Sequence, residues 1–157
     1  MALGAGPADS VLERLGALAD DAIVVRGKAF DWVSFPAGHP LSPIFFVDVR
    51  SRPGDEPDEL HHANGTVGLS EVWVEVPAPG LLADVLGKFG STACGRLERP
   101  DGRVGLGHSL DGGRLVAVPV EHETGEPRVV GVIVKSERRR PQASVNGVWL
   151  DWEGFDP

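Results

Sequence analysis

Residues 67–89 read Val67-Gly68-Leu69-Ser70-Glu71-Val72-Trp73-Val74-Glu75-Val76-Pro77-Ala78-Pro79-Gly80-Leu81-Leu82-Ala83-Asp84-Val85-Leu86-Gly87-Lys88-Phe89. Two periods meet in this stretch. Val72, Val74 and Val76 alternate with Glu71, Trp73 and Glu75, the two-residue period of a strand. After a Pro/Gly turn, Leu81, Leu82, Val85, Leu86 and Phe89 recur at helical spacing, and Gly90 marks the stop. The spacing therefore predicts a strand over 67–76 and a helix over 81–89. Three more strands follow at about 91–98, 103–109 and 114–120, joined by hairpin turns at Asp101-Gly102 and Asp111-Gly112-Gly113. The order is β-α-β-β-β.

Working backwards, 51–66 is an acidic, breaker-rich connector, and Ile44–Val49 reads as a strand. Shorter β-prone runs lie at Ala22–Arg26 and Ala29–Phe35. A helix is expected over 9–19, from the stripe Val11, Leu12, Leu15 and Leu18 and from Ser10 and Glu13 as a capping box. The first half, about 9–50, thus reads α-β-β-β and lacks an opening strand. Working forwards, Arg128–Lys135 is a β-branched run suited to a buried strand, and Val145–Trp152 alternates as a final edge strand or docking tail. The expectation is an α+β fold in one domain over 1–157. Two βαβββ-type modules form a curved mixed sheet around a cleft, the second spanning 67–120, and strand 128–135 completes the first.

Bulk properties narrow the function. The 157 residues are 41% hydrophobic and 24% charged, ordinary for a globular chain able to bury about two-thirds of its unfolded surface. One cysteine, Cys94, excludes an internal disulfide framework and reads as a buried, inert thiol. Met1–Ser10 lacks the basic start and apolar region of a signal peptide, and no apolar run approaches the length of a membrane span. A cytoplasmic location with no membrane partner is the expectation. A net charge of −8 argues against nucleic acid, which needs a basic surface. The Arg138-Arg139-Arg140 run reads as a solvated loop.

Three stretches carry a resemblance: Pro43-Ile44-Phe45-Phe46-Val47-Asp48, then His62-Ala63-Asn64-Gly65, then Leu69 to Pro77. Together they resemble the glyoxalase-like domains of the vicinal-oxygen-chelate superfamily. The likeness covers about 43–120, is weak over 9–42 and is absent from the last 37 residues. It implies paired βαβββ modules and often a divalent metal held by His and Glu on strands facing the cleft. Glu71 matches one ligand position, but the position of the family's second Glu falls near Val116, which cannot coordinate. No metal or other cofactor is therefore expected, since a catalytic metal needs about three protein ligands.

If the helix covers the valines, Glu71, Trp73 and Glu75 face the cleft, where an indole between two carboxylates suits a planar ligand. Glu71 and His108 are the candidate acid–base residues, His108 because imidazole titrates near neutrality. His62, His108, Trp32 and Asp48 complete the candidate ligand-binding set, the last two if the modules are pseudo-symmetric. The function that follows is small-molecule binding without a catalytic metal. The alternatives are a lyase, isomerase or dioxygenase of the same superfamily, and a non-catalytic homodimer built on strand 128–135 and the Trp149–Trp152 tail.

Overall fold

The computed structural model describes residues 2–49, 66–121, 127–137 and 140–154. Two modules repeat one topology. The first runs β1 (Ala2–Gly4), α1 (Ala8–Leu15), a 3-10 turn (Gly16–Asp21), β2 (Ile23–Arg26), β3 (Phe30–Ser34) and β4 (Phe45–Val49). The second runs β5 (Thr66–Val76), α2 (Pro79–Lys88), β6 (Thr92–Glu98), β7 (Val104–Leu110) and β8 (Gly113–Pro119). Their strand orders correspond: β1-β4-β3-β2 in one sheet and β5-β8-β7-β6 in the other. In each the first strand lies parallel to the last, and the remaining pairs are antiparallel. The molecule is an α+β fold of two βαβββ modules with open, curved, mixed sheets.

The C-terminal strand is not where the sequence placed it. β9 (Arg128–Ser136) pairs antiparallel with β5 and not with the first module. β11 (Val148–Gly154) then adds parallel to β9, and β10 (Ala143–Val145) closes that edge, which makes seven strands. The strand that opens the first module is Ala2–Gly4, seated beside Phe45–Val47 through backbone alone. Its three residues include no β-branched side chain, so propensity and alternation were both silent. The Ser10/Glu13 capping box is also absent. Pro7 stands at the N-cap with no side-chain cap bond, which places Ser10 inside the helix.

One apolar core joins the modules. Val11 and Leu15 of α1, Val33 and Phe46 of the first sheet, Leu82, Val85 and Leu86 of α2, and Val74, Val76, Leu115 and Ala117 of the second sheet share it. Each fully buried aliphatic side chain contributes about 1.5–3 kcal/mol. Phe89, at the end of α2, stacks on Phe46 with centroids 4.3 Å apart and carries the Arg14 guanidinium 5.5 Å from its own centroid. Lys88 Nζ donates to the Leu15 carbonyl at 3.1 Å, satisfying an orphan acceptor at the end of α1. Gly90 ends α2 at φ +84°, with Ser91 N–H returning to the Leu86 carbonyl.

Candidate functional site

Strand β5 divides its side chains as the alternation predicts. Val74 and Val76 lie in the core under α2, while Trp73 joins Val116, Val118 and Val130 in a second cluster on the opposite face. Glu71 and Glu75 share that face with Trp73, but no open floor remains there. Trp73, Glu71 and Glu75 are 2%, 4% and 3% exposed. Glu71 accepts from Trp73 Nε1 at 2.6 Å and from Arg114 Nε at 2.8 Å. Glu75 accepts from Arg103 at 2.6 Å and Arg128 at 2.8 Å. Each carboxylate is thus buried against cations, which is how a protein keeps a buried charge ionised.

The space above Trp73 is taken by a residue that the sequence did not flag. Arg99 leaves the end of β6 and lies between two indoles, 5.7 Å from the Trp73 ring centroid and 4.6 Å from that of Trp149 on β11. Its Nη1 donates to the Val130 carbonyl at 3.0 Å and its Nη2 to Asp101 at 2.7 Å. Burial pushes the guanidinium below its ordinary pKa, with Asp101 acting against that fall. Gly131 makes the sandwich fit, because a Cβ there would meet Arg99, Trp149 and Trp73 at 3.1, 3.2 and 3.3 Å.

The remaining candidates are dispersed. His108 pairs across the sheet with Leu115, so it projects toward α2 and away from Glu71. It is 7% exposed, its Nδ1 lies 3.3 Å from Ser91 Oγ, and burial lowers its pKa below the usual histidine value. Gly105 and Gly107 carry the other face of β7, where a Cβ would strike Val116 or Leu97; that glycine alternation was the available signal for the orientation of His108. Trp32 lies on the face of the first sheet turned from α1, stacked on Phe30 at 5.2 Å. Asp48 sits opposite Asp31 on the helix-side register of that sheet, apart from Trp32. His62 lies outside the described residues, as do Arg138 and Arg139. Cys94 is exposed on edge strand β6 and is not a core thiol.

A cavity of about 300 Å³ opens where the modules meet. Leu3 and Gly4 of β1 form one wall, Leu69 to Val72 of β5 the other, and Phe89 with the Leu110–Leu115 hairpin the base. Sequence reasoning could not find it, because one wall is the unforeseen strand β1. Arg114 is the cation in the lining, with 42% of its side chain exposed while it holds Glu71. Asp111 lies at the hairpin turn, and Ser70 Oγ is held by Glu153 of β11. Apolar walls with a few polar groups, at the lower end of ligand-site volumes, are what small-molecule pockets share.

The donor set does not fit the metal that the resemblance implies. Both oxygens of Glu71 are taken by a guanidinium and an indole N–H. Val116, opposite Trp73 in the register, offers no donor. Among the described residues no three His, Cys, Asp or Glu side chains come together as a metal group.

No family model matches the sequence, and no curated protein is significantly similar to it. Solved structures do share its fold. A hypothetical protein from Staphylococcus aureus superposes with a TM-score of 0.62 at 13% identity, over 98% of this chain and 64% of that one. This chain therefore spans less than two-thirds of that protein's length. A methylmalonyl-CoA epimerase from Mycobacterium tuberculosis gives 0.46 at 10% identity, over 65% of this chain and 97% of that one. A xylose isomerase-like TIM barrel/4-hydroxyphenylpyruvate dioxygenase fusion protein gives 0.49 at 17% identity, over 86% and 25%. Among the described residues, no helix is long and apolar enough to cross a membrane.

Proposed function

We propose that this chain is a small-molecule binding module of glyoxalase-like fold, that its ligand sits in the seam cavity between β1 and β5, and that no catalytic metal takes part. The observation that carries the reading is the cavity itself: apolar walls from both modules around Arg114 and its buried partner Glu71. A ligand with a compact apolar body and one acceptor end fits this lining. The body meets Leu3, Leu69, Phe89 and Leu110, and the acceptor meets the exposed part of Arg114.

The enzyme alternative has less behind it. A general acid or base must reach the reacting atom, yet His108 and Glu71 project from opposite faces of the sheet. The face carrying Glu71, Trp73 and Glu75 is filled by Arg99 and Trp149.

The reading is tested by thermal unfolding of the purified chain, with a metal chelator present, across a library of metabolite-sized compounds. A ligand that binds only the folded state at about 100 times its Kd adds about 2.7 kcal/mol. At least one compound is expected to raise Tm without metal, and Arg114→Gln is expected to reduce that rise. No shift from any compound, or shifts that require added metal, would contradict the proposal.

A further inference from the structure

The two modules differ in what covers their sheets. In the second, the face turned from the helix is closed by the chain itself, through Arg99 and Trp149 over Trp73. In the first, the equivalent face is open. Ile23, Val25, Phe30, Phe45 and Val49 on it are 36–47% exposed, and Trp32 stacks on Phe30 among them. Register puts these side chains on one side of three neighbouring strands, with Val24, Val33 and Phe46 on the other side in the core. The polar residues of the same strands turn away: Arg26 pairs with Asp9 of α1, and Asp31 is 1% exposed. The open face therefore carries no ionisable residue on β2, β3 or β4, and Ser34 is its polar member.

We infer that this face is an interface between two copies of the chain, packed sheet on sheet about a two-fold axis. Three arguments select that occupant. Strands about 4.8 Å apart, rising about 3.3 Å per residue, spread the patch over roughly 10 by 13 Å, more than a metabolite-sized ligand covers from one side. Exposed patches of this kind measure on the order of a few hundred Å². A standard dimer buries about 800 Å² per partner, so the patch has the size of an apolar core inside a wider polar rim. Charge decides between partners. The chain has 23 acidic residues against 15 basic and repels its own copy over most of its surface, whereas this face meets its copy with no charge to desolvate. Two such sheets pack about 10 Å apart with strands within about 30°, and the paired Phe30 and Trp32 supply aromatic anchors.

This inference does not rest on the seam cavity. It is tested by sedimentation equilibrium of the full chain from low to high micromolar concentration. The mass is expected to rise from 16.6 kDa toward twice that value. Val25→Lys and Phe45→Lys should each weaken the dimer at least about tenfold, with circular dichroism unchanged, whereas Leu106→Lys on the other sheet should not. Hydroxyl-radical footprinting of the parent needs no variant: Phe30, Trp32 and Phe45 should become protected as concentration rises. A monomer at every concentration, a dimer indifferent to both lysines, or footprints that ignore concentration would overturn it. The first of these, found together with protection of the face by another protein or a small molecule, would assign the face to that occupant instead.

Discussion

The indole N–H of Trp73 donates to Glu71 Oε1 at 2.6 Å, two residues back on the same strand. Side chains at i and i+2 share a face, so the bond follows directly from the alternation of β5. Because Glu71 is 4% exposed, water cannot replace the donor. Trp73→Phe is expected to destabilise the fold by about 1–3 kcal/mol, the usual penalty for a buried acceptor left unpaired. Urea unfolding of Trp73→Phe, Glu71→Gln and the double variant measures this. The double variant should lose less than the sum of the singles, and strict additivity would contradict the coupling.

Arg99 makes a sharper case. Its Nε is buried with no hydrogen-bond partner among the described residues, and its pair with Asp101 is half solvated, Asp101 being 43% exposed. The side chain holds its place by packing between rings as well as by charge. Arg99→Met, which keeps the stem and removes the desolvated cation, is expected to change stability by no more than about 1 kcal/mol. Arg99→Ala, which leaves a gap between two indoles, should cost about 2–4 kcal/mol. Equal losses for the two variants would show that the guanidinium and not the stem is what stabilises.

These two residues mark how far the sequence reaches. The face of Trp73 was legible because strand alternation is local and eleven residues long. Arg99 was not, because its neighbours Trp73 and Trp149 meet it only after seven strands have paired and curved. The same limit hid β1, whose place depends on the backbone of Phe45–Val47. It also misassigned Arg128–Ser136: β-branched residues specify a buried strand but say nothing about which edge it joins, and the free edge of β5 took it.

Gly131 is expected to tolerate no side chain. A Cβ there would sit 3.1–3.3 Å from Arg99, Trp149 and Trp73 at once, so no single neighbour can yield alone. Gly131→Ala should destabilise by about 1–3 kcal/mol through overpacking, and thermal unfolding reads it. In an Arg99→Ala background the penalty should shrink, since one of the three obstacles is gone. An unchanged penalty would mean that the indoles alone set the limit.

His108 gives a pH dependence with a definite sign. Burial lowers its folded-state pKa below 6.5, so between the two values the unfolded chain binds the proton that the folded chain refuses. The stabilising contribution is complete above the unfolded pKa and is lost as pH falls through the folded one. Stability measured by urea unfolding from neutral pH downward should therefore decline more steeply for the parent than for His108→Gln. Identical slopes in that window would exclude His108 as the titrating group.

The account turns on a guest occupying the seam between β1 and β5. Its most direct measurement is a backbone amide NMR titration of the chain with the compound that stabilises it most. Shifts concentrated at Leu3, Gly4, Gly112, Gly113 and Arg114, and lost in Leu69→Trp, which narrows the cavity from an exposed lining position, are the predicted result. Shifts gathered around Val25, Trp32 and Val49, or a titration that Leu69→Trp leaves unchanged, would contradict it.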